Sequence, residues 1–123
     1  MPPITLLDQP LAVLQRLQAL DLDSSQLPSL PEWIGQLSNL ESISLYNNLL
    51  TGLPESLWEL RGLHTLNLAD NLLAELSPGI SSLVHLQMLD LGHNRLAELP
   101  DGLGALPRLR FLYLSNNRLE QLP

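Results

Sequence analysis

The stretch LESISLYNNLLTGLPESLWEL, residues 40–60, carries a pattern that recurs along the chain. Leucine or isoleucine occupies its first, fourth and sixth positions, and asparagine occupies its ninth. A leucine follows at the eleventh position and a Leu-Pro step at the fourteenth and fifteenth. The apolar alternation around Ile43 predicts a short β-strand with one buried face.

The pattern repeats at a spacing of 23 residues. The three apolar positions and the asparagine position of each copy are Leu17, Leu20, Leu22 and Ser25; Leu40, Ile43, Leu45 and Asn48; Leu63, Leu66, Leu68 and Asn71; Leu86, Leu89, Leu91 and Asn94; and Leu109, Leu112, Leu114 and Asn117. A single strand of this kind cannot bury its apolar face alone, whereas stacked copies form a parallel sheet over one continuous core. The period therefore predicts an α/β solenoid.

The same period predicts one domain over residues 1–123. Residues 1–16 are a degenerate half repeat that serves as an N-terminal cap, with a short helix over 10–18. The repeats that follow are 17–39, 40–62, 63–85, 86–108 and the incomplete 109–123. Terminal repeats usually need a polar cap, and the chain stops inside a repeat. We therefore expect either a longer parent protein, which we favour, or two copies that pair at the uncapped C-terminal end.

The remaining columns predict the turn after each strand and the outer segment. The asparagine side chain can bond backbone groups of its own turn and of the neighbouring repeat, which predicts an asparagine ladder that is weaker at Ser25. A Leu-Pro step follows in four of five copies, with Ser77 as the exception, and proline suits the first position of a short helix. Leucines three residues apart predict one or two helical turns over 55–60, 78–84 and 101–106.

The pattern from Leu40 to Leu60 resembles the 23-residue leucine-rich repeat of intracellular type. Similar repeats occur in Ras-associated scaffold proteins, plant intracellular Ras-group proteins and bacterial effectors. The resemblance covers residues 17–123. It implies a right-handed solenoid with a parallel β-sheet on the concave face and short helices or 3-10 turns on the convex face. It also implies a scaffold that binds a partner through variable positions, because function in such folds is set by the site rather than by the fold.

Composition narrows the classes of function. The chain has no cysteine, which excludes a disulfide framework and a thiolate metal site. Its formal net charge of −7 argues against nucleic acid and anionic membranes as partners. All six basic residues are arginine, which indicates the base composition of a GC-rich bacterial genome. No basic segment precedes an apolar run at the start, so we expect a cytoplasmic protein, or one translocated into a host cell if it is an effector.

The partner-binding residues are predicted on the outward positions of the strands and in the turns after them, because the leucine, asparagine and proline columns are scaffold. Strands about 4.8 Å apart would join these variable positions into one concave surface. The predicted partner-binding residues are Asp21, Asp23, Tyr46, Asn67, Asp70, Met88, Asp90, His93, Phe111 and Tyr113.

Two features of this surface indicate the kind of partner. Met88, Phe111 and Tyr113 should cluster at its C-terminal end, with Tyr46 further along, and exposed aromatic and methionine side chains suit a binding hot spot. Alternatively, these side chains pack on one another or lie beneath further repeats. The acidic residues at positions 21, 23, 70 and 90 would favour a basic partner, or they form an ordinary solvated face.

Neither catalysis nor metal or cofactor binding is predicted. Asp70, His93 and Ser115 fall on successive repeats and offer an acid, a base and a nucleophile, but a smooth sheet face supplies no pocket or oxyanion hole. The histidines are scattered, which argues against a metal site. The glycines at 102 and 104 belong to an outer turn rather than to a phosphate-binding loop. We therefore predict a protein that is not an enzyme.

Three functions are compatible with the sequence. A protein-protein interaction module explains the repeat and the variable concave face, and it is favoured. The chain is alternatively the substrate-recognition part of a larger bacterial effector or signalling enzyme, of ubiquitin-ligase or kinase type. The third alternative is a structural protein that associates with itself through its C-terminal end.

Overall fold

Five short strands form a single parallel sheet in chain order in the computed structural model of the protein, which describes residues 7–120. The strands are β1 (Ala19–Asp21), β2 (Ser42–Ser44), β3 (Thr65–Asn67), β4 (Met88–Asp90) and β5 (Phe111–Tyr113). Neighbouring strands pair in register at an offset of 23 residues. The period of the sequence is therefore the period of the structure, and the predicted solenoid is confirmed. The first residues of the predicted cap and the last three residues of the incomplete repeat lie outside the described residues.

A 3-10 helix follows each of the first four strands on the outer side. These helices are Glu32–Gln36, Glu55–Glu59, Pro78–Ser82 and Asp101–Ala105. Three of these helices have an extended proline at the N-cap. In one of them, the carbonyl of Pro54 accepts the N–H of Leu57 at 3.0 Å. The prolines thus lie one residue earlier than the first helical position that we predicted for them. An N-cap residue needs its carbonyl for the first turn but no N–H, so proline fits there as well.

The third repeat begins its outer helix with a different pair of residues. Ser77 replaces proline at the N-cap, and its Oγ accepts the N–H of Gly79 at 3.0 Å. Pro78 then occupies the first helical position. A serine cap followed by proline is a favourable way to begin a helix, so the departure at Ser77 leaves the outer turn intact.

The N-terminal helix is shorter than predicted. The helix α1 spans Leu11–Leu14, whereas a helix over 10–18 was predicted for the N-terminal cap. After Leu14 the chain tightens into three-residue steps, in which Arg16 and Leu17 donate to the carbonyls of Val13 and Leu14. This tightening allows the backbone to leave the helix in time to enter β1.

The core consists of stacked leucine columns behind the sheet. In the third repeat Leu63, Leu66 and Leu68 are fully buried between the second and fourth repeats. At the C-terminal end the same column is open, because Leu112 on β5 has a neighbour on one side only and retains 37% of its surface. Leu20 on β1 also has a strand on one side only but is buried, with Leu11–Leu14 preceding it, so burial depends on having a repeat or the N-terminal helix on each side.

The predicted asparagine ladder runs through the buried turns after the strands. Asn71 donates to the carbonyls of Leu45, Leu68 and Ala69, at 2.9, 3.1 and 3.2 Å, and its Oδ1 accepts the N–H of Leu50. Asn48, Asn94 and Asn117 repeat the arrangement. Ser25 instead bonds the nearby carbonyl of Asp23, so this rung makes only a local contact. Each asparagine connects its own turn to the repeat before it and thereby fixes the stacking of the solenoid.

Candidate protein-binding surface

The open face of the sheet presents one residue on each side of the inward-facing leucine or isoleucine of each strand. On β4 these residues are Met88 and Asp90, and on β5 they are Phe111 and Tyr113. The structure places six of the ten predicted partner-binding residues on strands at such outward positions: Asp21, Asn67, Met88, Asp90, Phe111 and Tyr113. The other four, Asp23, Tyr46, Asp70 and His93, lie in the turns just after the strands.

Three apolar side chains lie together at the C-terminal end of this face. Met88 pairs with Phe111 across β4 and β5, and Tyr113 is two residues further along β5. Phe111 and Tyr113 expose 55% and 50% of their surfaces, and Met88 is half-buried. We call these three residues the aromatic patch. The other outward strand positions carry small or polar residues, so the aromatic patch is where the described strands present large apolar side chains.

Tyr46 is exposed but does not belong to the aromatic patch. It lies just after β2, three repeats before the corresponding Ser115, so about 14 Å of sheet separates the two positions. The residues between them in the same column are Ala69 and Gly92. Both residues are small and buried, so no large side chain stands in this column between Tyr46 and Ser115.

The acidic and amide residues on the strands also stabilise the turns that follow them. Asp21, Asn67 and Asp90 each accept, through Oδ1, the N–H of the residue two positions later at 3.0 Å. Such Asx turns bend the chain off the strand. One oxygen of each side chain is thereby occupied. Sequence reasoning assigned these residues to partner binding alone, although the recurrence of short polar acceptors in one column was the available signal.

Asp23 connects the first two repeats. Its Oδ1 accepts the Ser44 hydroxyl at 2.6 Å and the N–H of Tyr46 at 2.9 Å. The carboxylate is half-buried rather than freely solvated. Asp23 therefore contributes to the cohesion of the N-terminal repeats as well as to the negative charge of the face.

The next column adopts a left-handed backbone in every repeat. Its members, with φ between 52° and 60°, are Ser24, Asn47, Asp70, His93 and Asn116. Asparagine, aspartate and histidine tolerate this conformation better than most residues. Side chains of the column also bond across repeats, as when Asn47 donates to the Ser24 hydroxyl at 3.0 Å. Aspartate at position 70 and histidine at position 93 thus fit the left-handed backbone. Both side chains remain exposed, where a partner can reach them.

Asp70, His93 and Ser115, which in sequence offer an acid, a base and a nucleophile, lie in the turns after β3, β4 and β5 but form no hydrogen-bonded relay. The Nε2 atom of His93 is 3.0 Å from the Asn116 amide nitrogen, which occupies that ring position. Within residues 7–120, no hydrogen bond joins His93 to Asp70 or to the Ser115 side chain. Over the same residues there is no group of three histidine or acidic side chains that could hold a metal ion. None of the helices in the described part of the chain has the length and apolar character needed to cross a membrane.

Comparison with known proteins gives one consistent family. The sequence model described as Leucine rich repeat matches residues 15–73 and 61–119. A solved leucine-rich repeat protein of Leptospira interrogans is similar to this chain at 38% identity, with a TM-score of 0.88 over 94% of the chain. A Listeria monocytogenes internalin superposes over 90% of the chain with a TM-score of 0.77; at 23% identity this likeness shows the fold alone. The chain spans 30% and 32% of the lengths of these two proteins. No curated protein matches it.

Proposed function

The chain belongs to the leucine-rich repeat family, and we propose that it binds a partner protein through the concave face of its sheet, with the aromatic patch as the anchor. The fold by itself indicates a protein-protein interaction module. The finer proposal, which names the face and the residues, rests on the exposure of Phe111 and Tyr113 beside Met88. Aromatic and methionine side chains are enriched where interfaces carry most of their binding energy.

The regularity of the surrounding scaffold supports this choice of anchor. Every other strand position of the outward columns is occupied by alanine, serine, threonine, asparagine or aspartate. Three of these residues accept hydrogen bonds in the turns after their strands, and the others are small. The described repeats therefore do not need the aromatic patch for their own stability, and binding of a partner is the simplest explanation for it.

The acidic residues add a finer proposal about the partner. Asp70 and Asp21 are both exposed. Each keeps at least one carboxylate oxygen that is free of the turn bonds described above. We propose that a basic segment of the partner lies over Asp21 and Asp70, while apolar residues of the partner contact the aromatic patch. Such complementarity would mainly speed association and fix orientation.

A capture experiment with a matched control tests the proposal. The immobilised protein is used to capture partners from a lysate of the source organism, beside Phe111→Ala/Tyr113→Ala and the control Val13→Ala/Leu49→Ala. The two control side chains are each 49% exposed and lie away from the sheet face. We expect the control to retain a specific partner that the patch variant loses. Retention of the same partner by both variants would remove the aromatic patch from the binding site.

Self-association is a second candidate that one observation favours. Leu112 is a scaffold leucine, yet 37% of its surface is open on the free edge of β5. Two such edges can pair and cover each other. Light scattering during gel filtration tests this candidate with Leu112→Glu as the disrupting variant. A dimer that becomes a monomer in the variant would support it, and a wild-type monomer at high concentration would argue against it.

A further inference from the structure

The residues immediately before the strands form a second ordered edge of the sheet. The N–H of His64 bonds the carbonyl of Glu41 at 2.7 Å, and the N–H of Gln87 bonds that of His64 at 2.8 Å. The N–H of Arg110 continues the series by bonding Gln87 at 2.8 Å. The parallel pairing thus begins one residue before the strands themselves. Side chains on this N-terminal edge stand at the strand spacing of about 4.8 Å from one repeat to the next.

The last three repeats make this edge basic. Residues 61–64, 84–87 and 107–110 contain three arginines, two histidines and no acidic residue, in a chain whose net charge is −7. We call the five side chains the basic rim; they are Arg61, His64, His85, Arg108 and Arg110. All three arginines are exposed. Sequence reasoning missed this rim because its members are separated along the chain and are brought together only by the 23-residue register.

A polar groove runs along the rim. It is an open groove of about 460 Å³; its lining includes His64, His85 and Arg108 and, on the β2 side, Glu41, so its basic part is the end toward β5. The two histidine rings meet edge to face, with centroids 6.5 Å apart. Val84, which is exposed, lies on the same edge and provides an apolar contact beside the charges. The groove can therefore accept an extended chain that carries negative charge and an occasional apolar side chain.

We infer that the basic rim binds an acidic peptide segment of a protein partner. The anionic chemistry rests on the rim alone, whereas the choice of a protein over a nucleic acid rests on the proposed function. Arg110 is followed directly by Phe111, so a polypeptide anchored on the aromatic patch can carry acidic residues onto the rim. A long nucleic acid would instead run along the whole groove onto Glu41, which lines its β2 side, and would meet a molecule of net negative charge that repels a polyanion.

Fluorescence anisotropy with labelled decaglutamate tests this inference at about 10 mM ionic strength, where charges interact over roughly 30 Å. The rim variant is Arg108→Gln/Arg110→Gln, and the control is Arg95→Gln/Arg118→Gln. The control removes the same charge from exposed positions that lie after the strands, on the opposite edge. We expect saturable binding by wild type, at least about fivefold weaker binding by the rim variant, and less than about twofold change in the control.

Three results would overturn the inference. The first is an absence of saturable decaglutamate binding, and the second is an equal loss of affinity in the rim variant and its control. The third is binding of the oligonucleotide dT10 as tightly as decaglutamate, which would assign the rim to nucleic acid. Arg61→Gln/His85→Gln provides a second rim variant if the first is poorly folded by circular dichroism. Phe111→Ala/Tyr113→Ala should retain decaglutamate binding, so failure of the rim and failure of the aromatic patch are distinguishable.

Discussion

Adjacent polar residues in the turn after each strand meet opposite requirements. Asn48 is buried, and its amide satisfies backbone groups of two repeats. Asn47, its neighbour, is exposed and holds a left-handed backbone at a φ of 60°. The first role could be predicted from sequence, because an asparagine repeated at a fixed distance from a strand implies a buried turn. The second could not, because serine, asparagine, aspartate and histidine in one column look like ordinary surface variation.

Removal of a buried ladder asparagine should strongly destabilise the fold. Asn71→Ala leaves the N–H of Leu50 without a partner in a buried turn and removes one of the two hydrogen bonds accepted by each of three carbonyls, so we expect the free energy of unfolding to fall by about 2–4 kcal/mol. Asn117→Ala removes the same kind of bonds at a half-buried position that water can reach, and should cost about 1 kcal/mol. Urea unfolding followed by circular dichroism measures both. Equal losses would mean that burial does not set the strength of the ladder.

The left-handed column predicts different outcomes for two substitutions at Asp70. Asp70→Gly should be tolerated, because glycine adopts a φ of 59° without steric cost. Asp70→Val should lower the free energy of unfolding by about 1–2 kcal/mol, because a β-branched residue is disfavoured in that conformation. Thermal unfolding of the two variants separates the outcomes. Similar melting temperatures would show that the backbone at this position relaxes and does not constrain the residue.

Among the elements, the strands were predictable and the helix lengths were not. Strand register follows from the 23-residue period, since a slip would expose every leucine of a repeat. The outer segments were predicted as short helices or 3-10 turns, and each is a five-residue 3-10 helix. The predicted helix over 10–18 overlapped Leu17, which is the first apolar position of the repeat, whereas α1 ends at Leu14. The place of Leu17 was decided by the path into β1, which local periodicity does not contain.

Close packing between neighbouring outer 3-10 helices leaves no room for a side chain at Gly35. A Cβ atom at Gly35 would overlap the backbone oxygen of Ser56 in the next repeat. Gly35→Ala should therefore destabilise the protein by about 1–3 kcal/mol, because the obstacle is backbone rather than a flexible side chain. Equilibrium unfolding in urea gives this value directly.

The chain provides a control at the same repeat position. Gly104 lies three repeats later. A Cβ atom there would meet no described atom within 4 Å, apart from its chain neighbours and the backbone of its own helix, and its φ is not positive. Gly104→Ala should be neutral or stabilise the fold by up to about 1 kcal/mol through the unfolded state. A similar loss in both variants would contradict the packing account.

At the level of the whole molecule, stability and binding are set by stacking along one axis. Each repeat contacts its neighbours, so the sheet, the core and the ladder all extend from contacts between adjacent copies. The candidate face was predictable because outward positions follow from strand alternation. The charge pattern was only partly predictable: the sequence indicated acidic residues on the face, whereas the basic rim emerges from turns that lie far apart in the chain.

The same stacking predicts a gradient of mutational cost along the leucine columns. Leu66→Ala, between two repeats, should cost about 2–5 kcal/mol, because the leucine is fully buried and leaves a cavity. Leu112→Ala, on the open edge of β5, should cost about 1–2 kcal/mol, because part of its side chain is already in water. Chemical denaturation of the two variants checks the difference. Equal costs would indicate that β5 is covered in solution.

Photo-crosslinking from the sheet face tests the proposed binding surface most directly. A benzoylphenylalanine is placed at position 113 of the aromatic patch or, in a second protein, at the exposed position 97, which leads into the outer helix Asp101–Ala105. Both proteins are irradiated in a lysate of the source organism, and crosslinked products are separated by mass. The account predicts a discrete partner crosslinked from position 113 and none from position 97. A partner crosslinked only from position 97 would place binding on the outer side and contradict it.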